Sequence, residues 1–386
     1  MRDDYRYIGL MIESLNGYGS KILTGISRYA HQKPNWRIAY FDREQKELAD
    51  LVGGWQGDGI ICSAVDARFT NAARSRNIPV INVTGRHVEP SMINITSDDR
   101  CVGVMAANFL LERGFESFGF LRRKETTRFA TEREKGFTET LAAAGFKAES
   151  ISIGSGGDHE VEQWLSTLPR PLAVLGATDR LASIVIEACW RLGLRVPEEV
   201  SVLGIGNFEQ LCELCSPALS SVDLDMERRG YEAAECLDRI FQGEPVPTGS
   251  RLIPPAHVVE RRSTQTFAFE DADVVAALRF IHGHAPESIK VTDVVKATSI
   301  SRRSLEGRFN KLIGRTIHDE IWKAHFDLAK RLLSSSDLSL QTVAERSGFR
   351  TSSALVNLFR QRFGQTPKEY RISNRLLISS QPAETR

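Results

Sequence analysis

From Tyr7 onward the chain alternates short apolar runs with longer amphipathic stretches. Tyr7–Ile12, Arg37–Phe41, Gly59–Cys62, Pro79–Val83, Ser117–Leu121, Ala173–Ala177 and Val200–Ile205 are short and rich in Ile, Val and Phe, the pattern of strands buried on both faces. Between them Ser20–His31, Asp66–Arg76, Arg100–Arg113, Arg133–Ala144, Arg180–Leu192 and Glu227–Phe241 carry apolar positions at helical spacing. This alternation predicts a parallel sheet covered by helices on both sides, arranged as two lobes over residues 1–265. Beyond a polar linker at 264–270 the strand signal stops. Residues 273–371 are helical in period throughout, with breaks at Gly283, Pro286, Gly314, Gly348, Gly364 and Pro367.

Inside the helical part the sequence repeats. Ser301–Thr316 aligns with Thr351–Thr366, matching Leu305 to Leu355, Phe309 to Phe359, Gly314 to Gly364 and Thr316 to Thr366, each pair 50 residues apart. Upstream, Val294 and Ser299 match Val343 and Gly348 at a separation of 49, which gives the second copy one extra residue in its turn. Each copy reads as a short helix, a tight turn, a Ser or Thr cap and a second helix whose Leu and Phe share one face. That is the pattern of a helix-turn-helix, placed at about 290–314 and 339–364. Between the copies Thr316–Leu333 is one uninterrupted helical stretch. At about 1.5 Å per residue it could hold two recognition helices roughly one DNA turn apart.

Composition sharpens the division. The 386 residues carry a net charge of only +1. Residues 266–386 hold 19 Lys and Arg against 13 Asp and Glu, while residues 1–265 hold 31 against 36. The basic excess in the last part alone predicts a polyanion as the partner of a domain at 266–386, and with the helix-turn-helix pattern that polyanion is double-stranded DNA. No apolar run approaches a membrane span or a signal peptide, so a cytoplasmic protein with no membrane partner is expected.

In doubly wound sheets ligands sit at the carboxyl ends of strands. The polar residues there are Glu13, Asn16, Ser63, Thr178, Asp179, Asn207 and Glu209. Each also fits a helix cap, and Asp179 before Arg180–Leu192 reads first as one. Gly53-Gly54 and Gly154–Gly157 lack the spacing of a phosphate-binding loop and read as turns. No nucleophile elbow, zinc-protease pair or Cys–His arrangement is present, so no catalytic residue, no cofactor and no enzyme is expected. Of the six cysteines only Cys212 and Cys215 have metal or redox spacing, without a second pair nearby, and His282 and His284 fall on different helix faces. No metal site is expected.

A family resemblance rests on an ordered series of motifs. Asn94–Asp99 before a helix ending Leu110–Gly114, then Arg133–Phe137, Gly193–Gly204, Pro217–Val222 and Pro254–Thr264, together resemble the effector domain of LacI/GalR-type regulators. The resemblance implies the two-lobed α/β fold of periplasmic sugar-binding proteins, closing on a small ligand such as a sugar or nucleobase. It places Arg133 and Asp179 against sugar hydroxyls, with Phe129 offering a ring face or simply filling the core. With Glu13, Asn16 and Asn207 these form the expected ligand set. One position departs: the family commonly has Asp after Val202–Ile205, and here Gly206 precedes Asn207.

The helical part, and Gly364–Arg371 above all, resembles the AraC/XylS type of DNA-binding domain. It implies base readout by Arg302, Arg303, Glu306, Ser352, Ser353 and Asn357, Arg303 on guanine and Asn357 on adenine. Arg308, Lys311, Arg360, Arg362 and Lys368 are expected on phosphates, and Gly307 stands where the family often has a long basic residue. The fusion of the two types resembles the xylose-operon regulators of bacteria, which implies a sugar-responsive regulator, activator or repressor, a homodimer, D-xylose as effector and a change in promoter occupancy or in contact with RNA polymerase. Two other readings stay open: a sensor of another sugar, a nucleobase or a protein, and a sugar-modifying enzyme with a DNA-binding tail.

Overall fold

The structure is a computed structural model that describes residues 5–13, 17–41, 52–63, 67–85, 88, 90–125, 127–336 and 338–375. The chain separates into two compact units, Met1–Leu111 with Glu116–Gln265, and Glu112–Phe115 with Thr266–Arg386. The short Glu112–Phe115 segment has no signature in the periodicity. It groups with the second unit, where Ala268 N–H donates to the Arg113 carbonyl at 2.8 Å.

The first unit holds two six-stranded sheets. One contains β1 (Arg6–Met11), β2 (Trp36–Tyr40), β3 (Gly59–Cys62), β4 (Val80–Asn82), β5 (Ile93–Ser97) and β11 (Gly249–Ile253), in the order β11-β5-β4-β3-β1-β2, all parallel. The other contains β6 (Ser117–Arg123), β7 (Ala148–Ile153), β8 (Leu172–Gly176), β9 (Val200–Ile205), β10 (Ser220–Asp223) and β12 (His257–Val259), in the order β12-β10-β9-β8-β6-β7. Only β12 runs antiparallel. Every residue of β8 and β9 is buried, as their unbroken apolar runs require of central strands.

The chain changes sheet between β5 and β6, between β10 and β11 and between β11 and β12, so three connections join the lobes. Helix α1 (Gly17–Ala30) packs beside α8 (Met226–Phe241) in the first lobe. A Cβ on Gly25 would stand 1.9 Å from the Glu227 carbonyl oxygen and one on Gly230 would stand 2.0 Å from that of Ile22, so only glycine allows this approach. After α2 (Ala67–Ser75), the pair α3 (Asp99–Leu111) and α4 (Arg128–Ala143) packs in the same way in the second lobe. Helices α5 (Asp158–Thr167), α6 (Asp179–Arg191) and α7 (Glu209–Leu214) complete that lobe.

The regular elements of the second unit, among the described residues, are helices: α9 (Ala272–Gly283), α10 (Val291–Lys296), α11 (Arg302–Ile313), α12 (Ile317–Ser335), α13 (Leu340–Arg346), α14 (Ser352–Phe363) and α15 (Pro367–Arg375). It has two cores. Val274, Leu278, Val294, Leu305 and Phe309 build the first, and Val343, Phe349, Leu355 and Phe359 the second. Helix α12 serves both, giving Ile317, Ile321 and Ala324 to one and Phe326, Ala329 and Leu333 to the other.

Candidate ligand cleft and nucleic-acid interface

The carboxyl ends of β8, β9 and β10 bring three sequence-distant segments together. Thr178, not Asp179, caps α6: its side chain accepts the Leu181 N–H at 3.3 Å. The expected capping role of Asp179 is therefore corrected. As the first helical residue its carboxylate points inward, where Oδ2 accepts the Phe208 N–H at 2.8 Å and Oδ1 the Ser221 hydroxyl at 2.5 Å. Burial pushes the Asp179 carboxyl above its ordinary range, opposed by those two hydrogen bonds and by the charges of Arg133 and Arg261.

Asn207 stands next to it with φ 50, a left-handed conformation that asparagine tolerates. Its N–H donates to Ser221 Oγ at 2.9 Å and its Nδ2 to Asp223 Oδ2 at 2.7 Å, while its Oδ1 accepts from Arg261 at 3.1 Å. Arg133, on α4, is 4% exposed. Its Nε donates to Asp99 Oδ1 at 2.9 Å and its Nη1 to the Ala177 carbonyl at 2.7 Å, leaving guanidinium N–H groups to spare. Phe129, half-buried, lies with its ring 4.8 Å from the Arg133 guanidinium carbon, so one ring face is already taken by a cation.

The expected ligand set thus converges in part. Arg133 and Asp179 lie close enough to interact electrostatically, Asn207 is joined to Asp179 through Ser221, and Phe129 adjoins Arg133. Glu13 is exposed at the end of β1 in the other lobe, its N–H donating to Ser63 Oγ at 3.2 Å. Asn16 lies outside the described residues.

Sequence reasoning passed over Lys21, Asp99, Ser221, Asp223 and Arg229. Lys21 Nζ, on α1, donates to the Asn207 carbonyl at 2.9 Å and lies 3.7 Å from Asp223 Oδ2. Arg229, fully buried, donates to Tyr18 Oη and Ser97 Oγ and to the Val83 carbonyl at 3.3 Å. Arg229 had one usable signal, a second arginine beside Arg228 on a helix whose buried face needs apolar residues.

Burial pushes the Cys212 thiol up and that of Cys215 up to about 11, so neither is a thiolate near neutral pH. His282 Nε2 lies 3.0 Å from Glu320 Oε1, whereas His284 stacks on Phe280 with ring centroids 4.1 Å apart. No cluster among the described residues could hold a metal ion.

In the helical unit both copies of the repeat have the same kind of cap at each corner. Ser301 and Thr351 cap α11 and α14, accepting the N–H groups of Ser304 at 3.4 Å and Ala354 at 3.2 Å. Gly314 and Gly364 end them with φ 73 and φ 67. Leu305, Phe309, Leu355 and Phe359 are all fully buried, which turns the opposite face of each helix outward.

On α11 that face carries Arg302, Arg303, Glu306, Arg308 and Lys311, all exposed. Arg302 Nε is 2.8 Å from Glu306 Oε1, so these two act as one paired unit. Arg303 makes no hydrogen bond or ion pair among the described residues. Arg308 sits 3.4 Å from Asp271 Oδ2 and 3.9 Å from Asp273 Oδ2, so its charge is already partly balanced. On α14 the corresponding residues are neutral: Ser352 half-buried, Ser353 and Asn357 exposed, with Arg360 and Arg362 exposed in the last turn and Lys368 exposed on α15. The first helix therefore presents charge, the second directional hydrogen-bonding groups. At 19 residues α12, which joins the copies, is about 28 Å long, close to the ~34 Å between successive major-groove segments.

Comparison with known proteins follows the same division. Residues 107–264 match the periplasmic binding protein-like domain and residues 294–373 a helix-turn-helix domain. The chain is 30% identical over 381 residues to the xylose operon regulatory protein of Escherichia coli (strain K12), covering 95% of this chain and 97% of that one. It is 28% identical over 386 residues to the protein of the same name from Haemophilus influenzae, covering 97% and 100%. Among solved structures, that of a xylose-binding transcription activator superposes with a TM-score of 0.62 at 30% identity, covering 97% of this chain and 100% of the other. A LacI family transcriptional regulator from Enterococcus faecalis with bound ribose shares the fold of the first unit, with a TM-score of 0.56 at 20% identity over 67% of this chain and 98% of that one.

Proposed function

The chain belongs to the family of the xylose operon regulatory proteins, and from that premise we propose that it is a cytoplasmic, sugar-responsive transcriptional regulator of pentose utilisation genes, with D-xylose as its effector. As a member of that family it is a regulator and not an enzyme. The observation that carries the reading is the doubled helix-turn-helix, whose two capped helices turn Arg302, Arg303 and Glu306 in one copy and Ser353 and Asn357 in the other to solvent. Arg303 takes guanine and Asn357 adenine, while Lys311, Arg360, Arg362 and Lys368, with Arg308 once released from its carboxylates, meet phosphates.

In the cleft, Asp179 and Arg133 offer acceptor and donor to the hydroxyls of one sugar, with Asn207, Phe129, Glu13 and Asn16 around them. The sugar acts through its different affinities for open and closed lobes. The regulator works as a homodimer, two copies presenting four helix-turn-helix motifs, and activates through contact with RNA polymerase. A second reading keeps the DNA binding but gives the cleft another sugar or a nucleobase, and Gly206 in place of an acceptor carboxylate favours it.

The test is fluorescence anisotropy of the purified protein on DNA from upstream of its own gene and of neighbouring sugar genes, at fixed salt, with and without D-xylose. Specific binding that shifts with D-xylose supports the whole reading. Specific binding with no shift, and none in D-xylose calorimetry, transfers the effector to the second reading. Absence of sequence-specific binding overturns the regulator.

A further inference from the structure

We propose that Lys21 is a positioning residue that ties the two lobes across the cleft, by holding from the first lobe the same turn that Asp179 holds from the second; the effector consequence drawn below rests on the cleft being the sugar site. The turn is Gly206-Asn207-Phe208, at the carboxyl end of β9. On its inner side Asp179 Oδ2 accepts the Phe208 N–H at 2.8 Å, and Ser221 Oγ accepts the Asn207 N–H at 2.9 Å while donating to Asp179 Oδ1. On its outer side the Asn207 carbonyl accepts from Lys21 Nζ at 2.9 Å. The same ammonium lies 3.7 Å from Asp223 Oδ2, which also accepts from Asn207 Nδ2.

Lys21 is rigidly part of the first lobe, because α1 is locked to α8 at Gly25 and Gly230. Asn207 and Asp223 end neighbouring strands of the second sheet. A charge-assisted hydrogen bond therefore bridges two bodies that the chain joins only through three connections. Phe208 seals the same junction: a Cβ on Gly17 would stand 2.0 Å from its ring. Lys21 and Asp223 are both shielded, with side chains 23% and 18% exposed, so water screens the pair less than a surface pair.

The tie gives the cleft a readout. A sugar hydroxyl that bonds to Asp179 competes with the Phe208 N–H or with Ser221, and either exchange shifts the Asn207 carbonyl that Lys21 holds. Ligand contact on one lobe is thereby translated into the fit between both. Removing the ammonium leaves Asp179 and its neighbours in place but lowers the fraction of closed lobes, and apparent affinity falls with that fraction.

Carbodiimide coupling of the full-length protein, mapped by mass spectrometry, tests the tie without any ligand. The reagent activates a carboxylate and leaves as a urea when a neighbouring amine forms the amide, so only close Lys–carboxylate pairs join. Lys33 and Asp238, 2.7 Å apart within the first lobe, supply the internal standard. The proposal expects a 21–223 crosslink beside the 33–238 one; a 33–238 crosslink alone overturns it. D-xylose calorimetry then separates the tie from the effector assignment. Lys21→Met should weaken binding roughly ten- to a hundredfold, the range of a hydrogen bond to a charged group. Lys21→Arg should restore most of it and Lys33→Met should leave it unchanged. If the wild type crosslinks at 21–223 but does not bind D-xylose, the tie stands and the effector falls. If Lys21→Met binds D-xylose as the wild type does, the tie has no part in the response and the positioning role is overturned, while the cleft remains the sugar site.

Discussion

Asp179 and Gly206 compete for one volume. A Cβ on Gly206 would stand 3.2 Å from Asp179 Oδ2, and Gly206 has φ +127, a conformation that residues with side chains rarely adopt. Glycine at 206 thus fits both the backbone conformation and the space that the Asp179 carboxylate leaves. Gly206→Asp, which restores the family residue, should lower the thermal midpoint through about 1–3 kcal/mol of backbone strain, and a second carboxylate beside Asp179 adds like-charge repulsion. It should not strengthen D-xylose binding in calorimetry. Tighter binding by this variant would mean that the cleft lacks an acceptor, not that Asp179 supplies it.

Asp179→Ala should abolish the D-xylose response in the anisotropy assay while leaving basal DNA affinity unchanged, since the recognition helices lie in the other unit. It also removes the acceptor of the Phe208 N–H and the Ser221 hydroxyl, so a loss of about 1–3 kcal/mol of stability, read as a lower unfolding midpoint of the first unit, should accompany it. Asp179→Asn separates the two effects: its side-chain oxygen still accepts the Phe208 N–H, so stability should largely return. The response should stay impaired because the charge is gone. A normal response in Asp179→Ala would remove this residue from the ligand site.

What the sequence disclosed and what it hid follow from the range of the interactions. The helix-turn-helix copies were legible to the residue because caps, left-handed glycines and i,i+4 core pairs are local, and Ser301, Gly314, Thr351 and Gly364 each act within one turn. The buried central strands β8 and β9 were legible for the same reason. Strands β5, β7, β10, β11 and β12 were missed. In β10, Ser220 and Ser221 are fully buried and replace apolar contact with hydrogen bonds to Ser263, Thr264 and Asp179. No periodicity reports a polar strand whose partners lie some 40 residues away. Helices α5 and α7 were missed as well. The cleft pairs Arg133–Asp99, Lys21–Asn207 and Arg261–Asn207 join separate elements across the topology, so composition and spacing carry no trace of them.

Glu320 gives the helical unit a defined acid limit. The residue is 1% exposed, and burial alone would raise its carboxyl, but hydrogen bonds from His282 and Arg315 outweigh burial and hold it at about 2. A depressed carboxylate stabilises the fold above its unfolded value of 4.5 and loses that contribution as pH falls towards 2. The contribution is on the order of 3 kcal/mol at neutral pH. In urea unfolding, Glu320→Gln should be less stable than wild type at pH 7, and the gap should close between about pH 4.5 and 2. A gap that stays constant over that window would mean that the carboxylate does no more than fill space.

The two recognition helices should fail in different ways. Arg303 is exposed and unpaired among the described residues, in the first turn of α11. Arg303→Ala should relax preference at one base position by about 1–3 kcal/mol, read as converging affinities for the operator and its single-base variants. Arg360 lies in the last turn of α14, and its loss should weaken all sequences alike while lowering the slope of log affinity against log salt by about 1. Arg302 is the informative intermediate. Its pairing with Glu306 means that Arg302→Ala also frees a carboxylate next to the DNA, so it should cost more than Arg303→Ala at low salt. The double variant Arg302→Ala with Glu306→Ala should recover part of that loss. If Arg303→Ala and Arg302→Ala change only the salt slope, as Arg360→Ala should, α11 contacts the backbone without reading bases.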